Sequence, residues 1–192
     1  DLLVELTAAI GAGDQVTLSG TVGALTWNAS LLAQGRYVDV WDGADGDGDA
    51  IAFTGLAGVD LTNGGVSDSF RMLIGADQTG ATARLRIYTN ATNWSEQTIA
   101  IPNNPSSELI FKIADFTTGG GAAGPATFTS VGAIEFQVDT TVDGTDGQLT
   151  FLGMLGPTVK AQDFTNPADL SLTKIVDNAN PSVGQNVVYT LT

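Results

Sequence analysis

The chain has 192 residues, of which 43% are hydrophobic, so it can bury a sizeable core and is globular rather than disordered. Its 21 acidic residues outnumber seven basic ones, and the formal charge of −14 argues against binding to nucleic acids and anionic membranes. The sequence has no run of about 18 apolar residues, so no membrane insertion is predicted. The chain contains no histidine and no cysteine, which excludes disulfides, thiolate metal sites and Ser/His/Asp or Cys/His catalysis.

Short runs with the two-residue alternation of β-strands follow one another along the chain, separated by Gly, Asn and Asp turns. No segment has a 3.6-residue period long enough for a convincing helix. Many short strands at fairly even spacing predict an all-β, jelly-roll-like β-sandwich. The predicted strands are 2–7, 15–19, 36–41, 50–53, 70–74, 83–89, 97–101, 108–113, 133–139 and 148–154.

The predicted sandwich covers residues 1–155 and is followed by a second, smaller unit. The segment 156–167 is flanked by glycine and proline and is predicted to be a linker. Residues 168–192 contain two further alternating runs around an Asn- and Pro-containing turn. Because two strands alone do not bury a core, this pair is predicted to be part of an incomplete unit.

Two of the predicted strands separate polar from apolar side chains most clearly. In 84–88 and 134–139, the apolar residues alternate with polar ones and are predicted to lie in the core. They are Leu85, Ile87, Ile134, Phe136 and Val138. The opposite face is predicted to meet either solvent or a ligand. It carries Arg84, Arg86, Tyr88, Glu135, Gln137 and Asp139.

A dense acidic segment contains Asp42, Asp45, Asp47 and Asp49. Calcium takes about six to eight oxygen ligands, and alternating glycines let a short loop turn its carboxylates inward. The last three aspartates match the first, third and fifth ligand positions of many calcium loops. Counted from Asp45, however, the twelfth position is Leu56 and not the glutamate of an EF-hand. Two interpretations stay open, a calcium site and a solvated turn.

Two tryptophans are candidates for glycan binding, because flat apolar rings with a polar edge suit sugar rings. Trp94 lies among Asn, Thr and Ser residues in a predicted loop, and Trp41 directly precedes the acidic segment. Ordinary packing in the core or at its rim is the alternative for both. Three Asn-x-Ser/Thr sequons, at Asn28, Asn90 and Asn93, are candidate glycosylation sites.

The run from Glu135 to Asp139 is the best candidate for catalysis. Retaining β-glucanases place Glu-x-Asp-x-Glu on one strand face, whereas this chain has Gln137 at the centre and Asp139 at the end. Losing one carboxylate and shortening another undermines a two-carboxylate mechanism. We therefore predict that the chain is not an enzyme.

Residues 36–155 resemble a domain that is widespread in secreted proteins of environmental bacteria. The resemblance is carried by Asp42–Asp47, by Gly55–Thr62 and by Val131–Phe136. It implies a jelly-roll-like extracellular module without an established activity. The first residue, Asp1, is not methionine, which fits either a mature secreted chain whose signal peptide has been removed or a fragment.

Residues 168–174 and 181–190 resemble the opening of an Ig-like repeat that occurs in tandem in bacterial and archaeal surface proteins. The matching segments are Ala-Asp-Leu-Ser-Leu-Thr-Lys and Pro-Ser-Val-Gly-Gln-Asn-Val-Val-Tyr-Thr. The resemblance implies a modular protein of the cell envelope or the extracellular space.

Amphipathic strands at both ends of the chain suggest assembly with other chains. A strand without a partner needs a sheet edge to satisfy its backbone groups, and addition to a neighbouring sheet provides one. The residues predicted to form such assembly strands are Leu2, Val4, Leu6, Leu170, Leu172, Val187, Tyr189 and Leu191.

These observations lead to two functional hypotheses. The first is a structural module of an extracellular surface protein or fibre, joined by β-strand complementation to identical subunits or to further domains of the same protein. The alternative is a calcium-stabilised carbohydrate-binding or adhesive module with glycans as partners. A sandwich supports either one, so the residues of the site must decide.

Overall fold

A computed structural model of the chain describes residues 2–9, 13–21, 24–43, 50–156, 174–176 and 189–191. The chain divides into a larger unit, Asp1–Pro157, and a smaller unit, Thr158–Thr192. Among the described residues, no helix is long and apolar enough to cross a membrane.

The larger unit is built from eleven described strands and one short 3₁₀ turn, Ile113–Asp115. Nine of the ten predicted runs overlap these strands. The strands are β1 (Leu2–Ala9), β2 (Val16–Thr21), β3 (Ala24–Ala29), β4 (Ala33–Trp41), β5 (Ser69–Ala76), β6 (Ala81–Asn90), β7 (Asn93–Ala100), β8 (Asn104–Lys112), β9 (Thr117–Thr118), β10 (Ala133–Thr140) and β11 (Gly147–Leu155).

The strands form two antiparallel sheets, which confirms the predicted all-β sandwich. Sheet A has the order β1-β4-β10-β6-β7-β9, and sheet B has the order β2-β3-β11-β5-β8. Of the predicted core residues, Leu85, Ile87, Phe136 and Val138 are buried between the sheets, and Ile134 is partly buried and packs against the core. Strand alternation therefore sends their polar neighbours to the outer face of sheet A.

Residues 50–53, predicted to be a strand, do not form one. The backbone N–H of Ala52 donates a hydrogen bond to Oδ2 of Asp42 at 2.6 Å, and the N–H of Gly55 donates to the carbonyl oxygen of Ala52 at 2.8 Å. These local bonds use the backbone groups that a sheet would need, so the segment turns. Conversely, β3 and β9 are absent from the predicted runs.

The N-terminal strand β1, which carries Leu2, Val4 and Leu6, has its partner within the same chain. It pairs antiparallel with β4, with Leu3 opposite Val38 and Glu5 opposite Arg36. Strand β1 lies at the edge of sheet A, so its pairing with β4 uses one of its two edges, and assembly through the other edge stays a prediction. In the smaller unit, β12 (Lys174–Val176) pairs antiparallel with β13 (Tyr189–Leu191). Leu170, Leu172 and Val187 lie outside the described residues.

Candidate functional site

The outer face of sheet A carries two rows in which an arginine lies between two acidic residues on neighbouring strands. In the first row, Arg86 on β6 lies opposite Glu135 on β10 and Glu96 on β7. In the second row, Arg36 on β4 lies opposite Asp139 on β10 and Glu5 on β1. Opposite charges that face each other across strands stabilise the pairing of the sheet.

The first row is held together by direct contacts. Nε of Arg86 donates to Oε2 of Glu96 at 2.8 Å, and Nη1 of Arg86 donates to Oε1 of Glu135 at 3.3 Å. Nη2 of Arg84 donates to the same Glu135 oxygen at 3.2 Å. Glu135 therefore receives two guanidinium groups from β6.

The two rows are joined into one chain of contacts. Arg84 donates to the side-chain oxygen of Gln137, whose amide nitrogen donates to Asp139. Nε of Arg36 donates to the other Asp139 oxygen at 2.8 Å, and Nη1 of Arg36 donates to Glu5 at 3.2 Å. We call the whole chain of contacts the polar ladder. It comprises Glu5, Arg36, Asp139, Gln137, Arg84, Glu135, Arg86 and Glu96.

The polar ladder is partly buried although it lies on an outer face. Glu135 is only 6% exposed and Gln137 only 3%. A buried polar group is costly unless it is hydrogen-bonded, and both of these side chains are. The donors and acceptors are thus held in fixed positions before any ligand arrives.

A cleft of about 260 Å³ lies on the polar ladder. The apolar part of its lining comes from β1, β4 and the turn after β4. The polar part comes mainly from β6 and β10, with one residue each from β1 and β4. The apolar residues are Leu3, Val38, Val40 and Ile51, and the polar ones are Glu5, Arg36, Arg84, Arg86, Glu135 and Gln137. We call this the ladder cleft.

Aromatic side chains lie at the β6–β7 end of the polar ladder. The hydroxyl of Tyr88 donates to Oε2 of Glu135 at 2.8 Å. The Tyr88 ring centroid lies 5.8 Å from that of Trp94 and 5.2 Å from that of Phe53. Cζ of Arg86 lies 4.7 Å from the Trp94 ring centroid, a cation–π contact. Trp94 thus contacts the polar ladder through Arg86, whose guanidinium covers one face of its ring, and its role in glycan binding stays a prediction.

Burial is the main influence on the titration of Tyr88. It raises the pKa of the phenol above its usual range, and the neighbouring Glu135 carboxylate raises it further. At the other end, the hydrogen bond from Arg36 to Asp139 raises the pKa of the Arg36 guanidinium. Near neutral pH, Tyr88 is therefore a neutral donor and Arg36 a charged one.

Trp41, the second predicted glycan-binding residue, lies elsewhere. It packs against the hydrophobic core and lines an apolar crevice with Phe70, Ile134 and Met154. Its alternation with Val40 on β4 sends it away from the polar ladder. The structure thus separates the two tryptophans that the sequence analysis treats together.

The acidic segment is described only at its start. Asp42 is 1% exposed and, among the described residues, its Oδ1 atom has no hydrogen-bond partner. Asp45, Asp47 and Asp49 lie outside the described residues. The described part of the chain contains no group of three acidic side chains placed to hold a metal ion. Calcium binding therefore stays a prediction.

The three sequons differ in their surroundings. Asn28 is exposed on β3. Oδ1 of Asn90 accepts hydrogen bonds from the N–H groups of Thr92 and Asn93, both at 2.9 Å, and closes the β6–β7 turn. In the third sequon, the buried Ser95 hydroxyl already accepts a backbone hydrogen bond. Asn28 is thus the most accessible of the three.

A second cleft, of about 420 Å³, lies on sheet B. Its lining includes Asn28, Asp77, Asp146 and Gln148. Oδ1 of Asp77 accepts the Asp146 N–H at 2.9 Å, and Oδ1 of Asp146 accepts the Ala29 N–H at 2.8 Å. Although this cleft is larger, its carboxylates serve loop structure, and its lining contains no arginine. The ladder cleft is therefore the better candidate.

Sequence reasoning identified part of the polar ladder. The sets on β6 and β10 were predicted to meet solvent or a ligand, but Glu5, Arg36 and Glu96 were not singled out. Their side chains become significant only through the pairing of β1 with β4 and of β6 with β7. The sequence signal that could have found these three residues is the alternation of polar and apolar side chains along each strand.

Comparison with known proteins gives no family model and no curated protein that matches the chain. Among solved structures, the chain is similar to a family 11 carbohydrate-binding module from Clostridium thermocellum in complex with a β-1,3-1,4-mixed-linked tetrasaccharide. The TM-score is 0.49 and the sequence identity is 10%, over 81% of this chain and 88% of that chain. It is also similar to TmCBM61 in complex with β-1,4-galactotriose, with a TM-score of 0.41 and 7% identity over 81% and 88% of the two chains. A carbohydrate-binding module of family 29 has a TM-score of 0.38 and 16% identity over 88% and 98%. Since these TM-scores are below 0.5, we infer function from the residues of this chain.

The raised pKa of Tyr88 predicts how stability depends on pH. The folded state holds the phenol proton of Tyr88 more tightly than the unfolded state does, which stabilises the fold. This contribution to stability is complete below the ordinary tyrosine pKa of 10.0, and it is lost as pH rises through the pKa of Tyr88 in the folded state. We expect Tyr88→Phe to be less stable than the parent at neutral pH, with a difference that narrows above about pH 10. Urea unfolding at a series of pH values measures this, and a constant difference would contradict it.

The calcium prediction is tested by chelation. An ion that binds only the folded state raises the melting temperature by mass action, so a chelator should lower it. Asp47→Ala should abolish the effect of the chelator, whereas Asp60→Ala, in a separate exposed turn, should leave it intact. Identical melting curves with and without chelator would leave the solvated-turn interpretation.

Proposed function

We propose that this protein binds glycans and that the ladder cleft is the binding site. One observation carries the proposal: fixed, partly buried donors and acceptors line a cleft whose other wall is apolar. Binding sites of this kind combine an apolar surface with a few placed polar groups.

Sugar chemistry matches both walls of the ladder cleft. Each hydroxyl both donates and accepts a hydrogen bond, so it fits an array in which guanidinium groups donate and carboxylates accept. The C–H groups on the faces of a sugar ring are apolar, and Leu3, Val38 and Ile51 offer them a surface. Preorganised side chains lose little entropy on binding, which favours affinity.

The extent of the polar ladder favours a chain of sugars over a single ring. It crosses β1, β4, β10, β6 and β7, which are adjacent in sheet A. Four intervals between neighbouring strands correspond to about 19 Å. We therefore propose an oligosaccharide or polysaccharide ligand that lies across the strands, and an extracellular location where such polymers are met.

Assembly by strand complementation remains a prediction with less support. Strand β1 already pairs with β4 along one of its edges, and most of 168–192 lies outside the described residues. Nothing in the described part of the chain favours assembly as strongly as the polar ladder favours a ligand.

Replacing one arginine on each sheet tests which face of the sandwich binds glycans. Arg84 contacts Glu135 at 3.2 Å in the ladder cleft, and Arg71 contacts Glu108 at 3.2 Å on sheet B. We expect Arg84→Met to weaken glycan binding about tenfold or more, since removing a charged hydrogen-bond donor costs about 1.5–3 kcal/mol. Arg71→Met should bind like the parent.

Affinity electrophoresis with a panel of soluble polysaccharides, followed by calorimetry on those that bind, measures this effect. Melting temperatures of both variants control for loss of fold. Equal binding by the parent and Arg84→Met, or equal loss in both variants, would contradict the proposed site.

A further inference from the structure

We infer that the ladder cleft selects neutral glycans and rejects glycans that carry carboxylates, an inference that rests on the proposed function. Its basis is the pairing of the cleft's positive charges. Every arginine in the cleft is already engaged by acidic side chains of the chain itself.

The pairing involves all three guanidinium groups. Arg36 contacts Glu5 and Asp139, and Arg86 contacts Glu96 and Glu135. Arg84 contacts Glu135 at 3.2 Å and has a longer contact of 3.9 Å with Glu96. An arginine that recognises a carboxylate commonly does so by offering two parallel N–H groups to it. Here the chain's own carboxylates already take part of that capacity.

The net charge of the polar ladder also disfavours ligands that carry carboxylates. Its three arginines and four acidic residues leave it with a formal charge of −1, within a chain of charge −14. A ligand carboxylate that binds here lies close to the carboxylates of Glu5 and Glu135, which both line the cleft. Within a partly buried cleft, such like-charge contacts are screened much less by salt than exposed ones.

Exchange of partners would not remove this obstacle. A ligand carboxylate that takes over Arg84 or Arg86 leaves Glu135 with fewer donors, and Glu135 is only 6% exposed. A buried acceptor that loses its partner bears its full desolvation penalty. Binding a carboxylate in this cleft therefore carries a cost that binding a hydroxyl does not.

A hydroxyl fits the groups that remain. Arg36 and Glu5 line the cleft with 43% and 47% of their side chains exposed, and a guanidinium has more N–H groups than the contacts it makes here. A neutral hydroxyl oxygen can accept a hydrogen bond from the Arg36 guanidinium while the hydroxyl proton is donated to the Glu5 carboxylate. No existing ion pair has to break.

The test compares the same polymers with and without carboxylates. The probes are a mixed-linkage β-glucan, a β-mannan and a β-galactan, each before and after oxidation of its primary alcohols to carboxylates. We expect oxidation to weaken binding of the preferred polymer about tenfold or more at low salt. Added salt should reduce this difference only in part, because charges inside the partly buried cleft are screened less than exposed ones. Binding of the neutral form should change little with salt.

A variant that neutralises one carboxylate of the cleft tests whether charge causes the selection. Glu5→Gln removes one carboxylate from Arg36 and should raise affinity for the oxidised polymer relative to the neutral one. Glu108→Gln is the matched control, because Glu108 also contacts an arginine at 3.2 Å and has the same 47% side-chain exposure, but lies on sheet B. It should change neither affinity.

The outcomes distinguish this inference from the proposed function. Oxidised polymers that bind as tightly as the neutral ones, or tighter, overturn charge selection and leave glycan binding standing. Failure of every probe, neutral and oxidised, to bind overturns the proposed function and the inference with it.

Discussion

The candidate site depends on one interaction, the contact of Glu135 with two guanidinium groups and a phenol. Arg84 and Arg86 donate to one of its oxygens, and Tyr88 donates to the other. This carboxylate lies on β10, between β4 and β6 in sheet A. It links the aromatic end of the polar ladder to the contacts that continue through Gln137 towards β1. Without Glu135, the two arginines of β6 would keep only Glu96 as an acidic partner that both contact, among the described residues.

The polar ladder has a structural consequence and a functional one. Charged side chains that pair across neighbouring strands support the register of sheet A. The same pairing fixes the directions of the remaining donors and acceptors, which is what a binding site requires. Surface ion pairs taken singly contribute little to stability, but a connected and partly buried set is harder to disturb. The polar ladder is therefore suited to recognition as well as to stability.

Local alternation accounts for what could be predicted, and long-range pairing accounts for what could not. The polar faces of β6 and β10 follow from two-residue alternation, so Arg84, Arg86, Glu135 and Gln137 were identified as one outer surface. Arg36 was not connected with them, because its role depends on the order of strands in sheet A.

Trp41 and the turn after β4 are further cases in which the local sequence pattern did not predict the structure. Trp41 directly precedes the acidic segment in the sequence, yet its position on β4 directs its side chain towards the core. Residues 50–53 alternate like a strand, but the Asp42 carboxylate binds the Ala52 N–H and favours a turn. In each case a partner distant in space, or across a loop, overrides the local pattern.

Nuclear magnetic resonance of the arginine side chains tests most directly whether the polar ladder is the binding surface. The chain has four arginines, and Arg36, Arg84 and Arg86 belong to the polar ladder, whereas Arg71 lies on sheet B. In a titration of the full chain with an oligosaccharide of the preferred polymer, the account predicts that the Nε–H signals of the three ladder arginines shift together and that of Arg71 does not. Shifts confined to Arg71 or to the side-chain amides of Asn28 and Gln148 in the sheet B cleft, with the ladder signals unchanged at saturation, would contradict it.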